Sequence, residues 1–275
     1  MQSWELPFRG NMRPIIRWAG SKRQLLPCLL PYIPTRYNRY IEPFAGSACL
    51  FFELAPKKAI LGDINPHLMS AYRQLRRHPT RLHEAVSSIP RTPKRYYVER
   101  SKNISYLDAF EKAVRFFYLN RNCFNAVYRV NQRGEFNVPW GSNTGALPAV
   151  AEFRESAAAL RHADLVTADF EKVLDLAKRG DFIYIDPPYS KSVADEPGLF
   201  GAGAFNREHL SRLVRALHKL DRTGAVFLMS FEFDKELIKG LSQWRVEKIQ
   251  ARRHVAGFAH ARGVAQEILL TNSRF

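Results

Sequence analysis

The sequence predicts an α/β fold built on a mostly parallel sheet of seven strands, and three observations carry that prediction. Short apolar runs alternate with helix-like stretches, which implies a sheet covered on both faces. Several of those runs stop at a carboxylate, where an open parallel sheet places its ligands. One long stretch, from about His67 to Val150, holds no convincing strand and reads as a helical insertion.

In chain order, Tyr40-Ile41 runs into Glu42-Pro43-Phe44 and reads as a first strand ending in a turn. Ala59-Ile60-Leu61, closing at Gly62-Asp63, is the second, and Asn65-Pro66 opens a helix through Leu68, Tyr72 and Leu75. Ala163 to Phe170 reads as the third strand. Asp181 to Ile185 is a short buried run stopped by Asp186-Pro187-Pro188, hence a fourth strand and a turn. From Arg207 to Asp221, Leu210, Leu213, Val214, Leu217 and Leu220 form one apolar helical stripe against a basic outer face. Ala225 to Met229 is the fifth strand. Trp244 to Ile249 and Glu267 to Leu270 form a late, antiparallel pair. The expected boundaries are residues 13–66 with 151–275 for the sheet domain, and 67–150 for the insertion.

Composition narrows the function. The 275 residues, 46% hydrophobic and 25% charged, suffice for a substantial core without disulfides or metal. Cys28, Cys49 and Cys123 are far apart and odd in number, so a reducing compartment is expected. No apolar run spans a bilayer, and the first residues lack the form of a signal peptide, which excludes secreted and membrane-spanning classes. The eight histidines show no metal spacing, and no metal is expected.

Lys plus Arg is 42 against 26 for Asp plus Glu, a net charge of +16. Residues 1–39 carry Arg9, Arg13, Arg17, Lys22, Arg23, Arg36 and Arg39 against Glu5 alone, and residues 73–100 carry eight basic residues against Glu84 and Glu99. Two such concentrations favour a surface for a polyanion, nucleic acid first, over solvated helix faces of mixed sign.

The chemistry centres on Asp186-Pro187-Pro188-Tyr189. Two prolines after a buried strand fix φ and remove N–H donors, so the turn offers a carboxylate and a carbonyl side by side. That pair matches the two hydrogens of an amino group, and Tyr189 offers a flat face to a planar heterocycle. Accepting those hydrogens makes an aromatic amine more nucleophilic and stabilises the charge that develops on attack. The four residues alone fit an ordinary turn equally well.

Their surroundings do not. In order, the chain carries Arg17-Trp18-Ala19-Gly20-Ser21-Lys22, Glu42-Pro43-Phe44-Ala45-Gly46-Ser47, Asp63-Ile64-Asn65, a segment from Phe124-Asn125 to Val138-Pro139, and Asp186 to Tyr189. With these five pieces the sequence resembles the Dam-type DNA adenine methyltransferases, from about Ile15 to Asn272. The resemblance implies a Rossmann-like methyltransferase sheet with an inserted target-recognition domain. It implies methyl transfer from S-adenosyl-L-methionine to N6 of an adenine flipped from double-stranded DNA, with GATC as the site. It further implies a cytoplasmic, nucleoid-associated monomer of a bacterial or phage-infected cell, compatible with a cognate restriction endonuclease as partner.

Residue by residue, the resemblance assigns Trp18, Lys22, Glu42, Phe44, Gly46, Asp63, Ile64, Asp169, Phe170 and Asp186 to the cofactor. Trp18 and Lys22 would meet its methionine end. Asp63, 17 residues beyond Gly46, would accept its ribose hydroxyls, though a helix N-cap is an equal use for that residue. Asp169 and Phe170 would face its adenine. On the DNA side it assigns Arg17, Phe124, Asn125, Val127, Arg129 and Pro139. Phe124 would enter the duplex, Asn125 would meet the orphaned base, Arg129 would read guanine, and Pro139 would lie on a thymine methyl. The segment from Arg252-Arg253-His254 to Arg262 resembles the family's DNA-facing closing loop. The chain departs from the family at Ala48, where a second glycine is usual, at Ser142, where GATC enzymes carry Arg, and at Phe124 and Val127, which replace Tyr and Leu.

Three other readings stand beside this one. A non-catalytic DNA-binding relative would have lost the Asp186 turn first. An RNA enzyme shares the charge, and a cytosine-N4 enzyme more often carries Ser at the place of Asp186.

Overall fold

The computed structural model describes residues 12–131, 133–142, 144–188, 205–232, 241, 243–252 and 264–273. Tyr189, the segment 253–262, and, of the charged residues of the first segment, Glu5 and Arg9 lie outside the described residues.

Seven strands form one sheet: β1 (Tyr40–Glu42), β2 (Ala59–Asp63), β3 (Ala163–Thr167), β4 (Phe182–Ile185), β5 (Val226–Glu232), β6 (Arg245–Arg252) and β7 (Val264–Thr271). Their spatial order is β3-β2-β1-β4-β5-β7-β6. The first five pair in parallel, and β7 runs antiparallel to both β5 and β6, with Phe231 opposite Ile268 and Lys248 opposite Ile268 on the other side. This is the expected mostly parallel sheet with an antiparallel last pair. The order reverses between β1 and β4, so a crevice opens there beyond the carboxyl ends.

Alternation along the strands divides the core in two. On one face Ile41, Ile60, Ile183, Ile185, Phe227 and Met229 pack on α8 (Phe170–Leu174) and α9 (Arg207–Thr223). The stripe expected for α9 is found: Leu213, Leu217 and Leu220 are buried, with Leu210 and Val214 packed beside them. On the other face Tyr40, Leu61, Phe182, Tyr184 and Leu228 share one continuous core with α2 (Cys49–Leu54), α3 (Pro66–Arg77), α4 (Pro79–Ser87), α6 (Ala109–Asn122) and α7 (Val150–Leu160).

The helices α3, α4, α5 (Pro93–Ser101), α6 and α7 all lie between β2 and β3. Between α6 and α7 the chain forms an irregular hairpin, with bridges Cys123–Trp140 and Val130–Phe136 and a turn at Asn131–Gly134.

One local expectation needs correction. β3 ends at Thr167, not Phe170, because Asp169 Oδ1 accepts the Glu171 N–H at 3.0 Å and starts α8. The cap of α3 is Asn65, whose Oδ1 accepts the N–H groups of His67 and Leu68 at 3.0 and 3.1 Å. Asp63 is left for other partners.

Candidate active site

The carboxyl ends of β1, β2 and β4 bring Glu42, Asp63 and Asp186 to one cleft. Trp18, Lys22, Phe44, Gly46, Ile64, Asp169, Phe170, Pro187 and Pro188 line it as well. Every residue assigned to the cofactor from the sequence therefore reaches the same cavity.

The turn after β1 shapes the near wall. Gly46 has φ +47°, and a Cβ there would stand 2.8 Å from the Trp18 ring, so only glycine lets the indole lie on the backbone. The Gly46 N–H donates to Asp63 Oδ2 at 3.1 Å, and its carbonyl accepts from the Tyr72 hydroxyl at 2.7 Å. Ser47 Oγ donates to Ser21 Oγ at 2.9 Å and ties this turn to the 17–22 loop. Ala48 is held in the left-handed region at φ 51°, ψ 39°. Trp18 also stacks on Tyr128, with centroids 5.7 Å apart and planes at 20°, so it is both wall and packing residue.

Asp63 stands in the middle of the cleft. Its other oxygen accepts the Asn65 N–H at 2.8 Å, and each carboxylate oxygen keeps a further lone pair for a hydroxyl donor. Burial pushes its carboxyl up to about 6, against the pull of these two N–H groups.

One end of the cleft is flat and apolar. Phe44 stacks on Phe170 at 5.3 Å and 26°, Phe205 closes on both edges, and Ile64 stands 56% exposed. Arg212 holds this end in place: it bonds Asp169 Oδ1 at 2.7 Å and Glu171 Oε2 at 2.6 Å, and its guanidinium lies 5.0 Å from the Phe170 ring centre.

The opposite end is charged. The buried Lys22 ammonium meets Asp186 Oδ1 at 2.6 Å and donates to the Gly20 carbonyl at 3.0 Å. Burial pushes the Asp186 carboxyl up, Lys22 opposes that, and the Glu267 charge adds to it. Glu42, wholly buried and bonded by the Tyr40 hydroxyl at 2.8 Å, is pushed up strongly by burial and further by Asp186 and Asp63. Pro187 is buried and Pro188 half-buried behind the carboxylate. The arrangement offers a flat wall for a planar group, acceptors for a diol, an ion pair for a zwitterion, and a carboxylate beside a rigid turn.

The residues assigned to DNA gather on the hairpin and beside it, away from the flat end. Phe124 is 44% exposed and its N–H donates to the Pro139 carbonyl at 2.9 Å. Asn125 follows at φ 52°, Val127 packs on the core, and Pro139 is exposed. Arg129 Nε donates to Asn137 Oδ1 at 3.0 Å, while Nη1 and Nη2 make no bond among the described residues. Arg17 is set inward: Nη1 donates to the carbonyls of Arg121 and Thr144 at 3.2 and 3.3 Å.

Several arginines of the basic segments likewise have an internal task. Arg73 and Arg76 bond carbonyls of β3 at 2.9 Å. Arg91 bonds Asn122, Thr144 and Gly145, and Arg100 bonds the Asn137 and Val138 carbonyls. They brace the hairpin and the sheet edge. Among the described residues no group of His, Cys, Asp and Glu is placed to hold a metal, and no helix is long and apolar enough to cross a membrane.

Sequence reasoning missed Phe205, His209 and Ser21 in the cleft, Arg212 behind it, and Ser230 next to Asp186. Phe205 had one local signal, an apolar residue directly before the Asn206 cap of α9.

Comparison with known proteins agrees with this geometry. Residues 18–255 match the family model described as D12 class N6 adenine-specific DNA methyltransferase. The chain is 36% identical over 275 residues to the type II methyltransferase M1.LlaDCHI of Lactococcus lactis subsp. cremoris, covering 95% of this chain and 96% of that one. It is 29% identical to the type II methyltransferase M.MjaIII of Methanocaldococcus jannaschii, over 89% of this chain and 93% of the relative. It is 32% identical to the DNA N-6-adenine-methyltransferase of Escherichia phage P1, over 94% of this chain and 35% of the relative.

Proposed function

Because the chain belongs to the D12 class of N6 adenine-specific DNA methyltransferases, we propose that it methylates N6 of an adenine flipped out of a GATC site in double-stranded DNA, with S-adenosyl-L-methionine as donor. The observation that carries the reading is the position of Asp186 at the charged end of the cleft, fixed by Lys22 at 2.6 Å beside the two prolines.

The residues present fit this donor. The flat apolar wall of Phe44, Phe170 and Ile64 suits a purine face, Asp63 has acceptor capacity for two ribose hydroxyls, and the Lys22 ammonium and the Glu42 carboxyl line the part that takes an amino-acid end. When bound, the donor supplies an electrophilic methyl group on a sulfonium.

The chain's own contribution is to hold the amine. Asp186 and the carbonyl of Pro187 accept its two hydrogens, which turns the nitrogen lone pair towards the incoming methyl. The positive charge that develops on nitrogen falls beside the Asp186 carboxylate and is stabilised there. Tyr189 stacks on the base.

The insertion, residues 67–150, is the target-recognition part in this reading. Phe124 enters the gap left by the flipped base and Asn125 meets its former partner. Arg129 reads guanine through Nη1 and Nη2, and Pro139 lies against a thymine methyl; Val127 supports them. Arg17 ties this part to the catalytic side. The enzyme acts as a monomer in the cytoplasm, and the type II names of two relatives favour a role beside a restriction endonuclease.

The test is to incubate the protein with labelled S-adenosylmethionine and plasmid DNA and to map modified bases, with Asp186→Ala as control. N6-methyladenine at GATC, absent with the variant, is expected. Equal activity from the variant, or no N6-methyladenine in DNA, overturns the reading.

A further inference from the structure

We propose that Ser230, with Tyr184 behind it, is a positioning residue that decides which oxygen of Asp186 faces the target amine. This rests on the role given to Asp186 above.

The three groups stand in a row. Tyr184 OH is 2.9 Å from Ser230 Oγ, and Ser230 Oγ is 3.3 Å from Asp186 Oδ1. The row follows from sheet register: Tyr184 pairs with Leu228 and Ile185 with Met229 across the parallel β4–β5 ladder. Tyr184, Asp186, Leu228 and Ser230 therefore project from the same face.

The direction of donation is fixed by counting hydrogens. An ionised carboxylate only accepts, so the single Ser230 proton goes to Asp186. Tyr184 must then donate to Ser230. Lys22 holds the same oxygen, Oδ1, at 2.6 Å. With Oδ1 engaged from two sides, rotation of the carboxylate is blocked. Oδ2, which has no bond among the described residues, is the oxygen presented to the amine.

Packing alone gives no reason for this serine. Ser230 is wholly buried in the apolar strand Val226–Glu232, and a hydroxyl there costs free energy unless it is bonded. Its neighbours set the charge that it faces. Lys22 from the 17–22 loop favours ionised Asp186, while Glu42 from β1 and Glu267 from β7 oppose it; Tyr184 and Cys49 stand by as uncharged groups. Burial raises the Asp186 carboxyl and the Ser230 hydrogen bond works against that rise. Loss of the hydroxyl thus moves the acid limb of the rate profile to higher pH.

The experiment uses the full chain with Ser230→Ala, Tyr184→Phe and the double variant. Turnover on plasmid DNA, its pH profile, donor binding by calorimetry and thermal unfolding are measured. Turnover is expected to fall roughly ten- to a hundredfold in Ser230→Ala, the worth of a hydrogen bond to a charged group. Donor affinity and the KM for DNA stay near wild type, and the acid limb shifts upward. Tyr184→Phe is expected to give a smaller loss in the same direction, and the double variant to match Ser230→Ala. Wild-type turnover and pH profile in Ser230→Ala, with Asp186→Ala inactive, overturns the inference alone. An active Asp186→Ala overturns the proposed function instead. Losses that track thermal instability without a shifted acid limb also overturn the inference. Where Ser230→Ala fails to fold, Tyr184→Phe decides by the same limb.

Discussion

Lys22 Nζ lies 2.6 Å from Asp186 Oδ1, with the Lys22 side chain 5% exposed and that of Asp186 18%. The pair sits at the charged end of the cleft, where burial already pushes the Asp186 carboxyl up and Lys22 holds it down. Lys22→Met keeps the length and removes the charge. Asp186 is then expected to protonate at higher pH, so that turnover fails first on the acid side and recovers partly in alkali. Stability is expected to drop by about 3 kcal/mol, the cost of stranding one member of a buried pair. Methylation rates against pH and denaturant midpoints check both. A variant with an unshifted acid limb shows that the ammonium does not govern Asp186.

Asp63 is the place to look for pH-dependent donor binding. Its carboxyl is raised to about 6, and only the ionised form accepts two hydroxyl donors. Affinity for S-adenosylmethionine is expected to weaken as pH falls through about 6, with uptake of one proton, and Asp63→Asn is expected to bind weakly with no such dependence. The sign for folding is opposite to that of a salt-bridged carboxylate. A raised folded value means that ionised Asp63 opposes folding at neutral pH, and this penalty disappears below the ordinary aspartate value of 3.8. Wild-type stability is therefore expected to fall as pH rises from about 4 through about 6, and Asp63→Asn, which cannot titrate and gives up one of the two N–H acceptors, is expected to lack that pH dependence. Calorimetry across that range settles both expectations.

In the proposed function, Phe124 and Arg129 divide base extrusion from reading, and two variants test that division. Phe124 is 44% exposed, so Phe124→Ala is expected to leave the melting temperature nearly unchanged while slowing methylation. Fluorescence of 2-aminopurine at the target position reports the loss of flipping directly. Arg129→Ala removes a guanidinium whose Nη1 and Nη2 make no bond among the described residues, and is expected to cost about 1–3 kcal/mol of discrimination at one guanine position. Sequencing of modified sites distinguishes relaxed reading from a uniform loss of affinity, which a mere phosphate contact would give.

Ala48 carries backbone strain. At φ 51° and ψ 39° a Cβ is disfavoured, and the residue is almost wholly buried. Ala48→Gly is expected to stabilise the protein by up to about 1 kcal/mol, since the gain in the left-handed region exceeds the entropy added to the unfolded chain. Chemical denaturation measures it, and a lower midpoint in the variant contradicts the strain.

The strand ends were legible in the sequence because each is a local signal: an apolar run halted by Glu42, Asp63 or Asp186. Such signals also mislead locally. Phe170 continued an apolar alternation and read as strand, although Asp169 had already begun a helix. What the sequence concealed depends on partners far apart in the chain. Arg212 reads as one more basic residue on the outer face of α9, and only the fold brings it to Asp169 and Glu171. Ser230 is a single polar letter in an apolar strand until register sets it beside Asp186. The basic segments read as surface, yet carbonyl groups of the hairpin and of β3 take several of their guanidiniums.

The crossover between β2 and β3 has a consequence for the order of folding. Residues 64–162 intervene between two strands that pair along their whole length. Closing so long a loop is entropically late, and it is eased once the intervening helices have condensed. The edge of the sheet is thus expected to form after the helices between β2 and β3 have condensed, which in the proposed function are the recognition part, and Asp169 stands just beyond that edge strand. A nascent chain with a misfolded insertion would lack the far end of its donor cleft, so it could not bind donor and modify DNA indiscriminately. In the proposed function, assembly itself would then couple the ability to methylate to the ability to choose where.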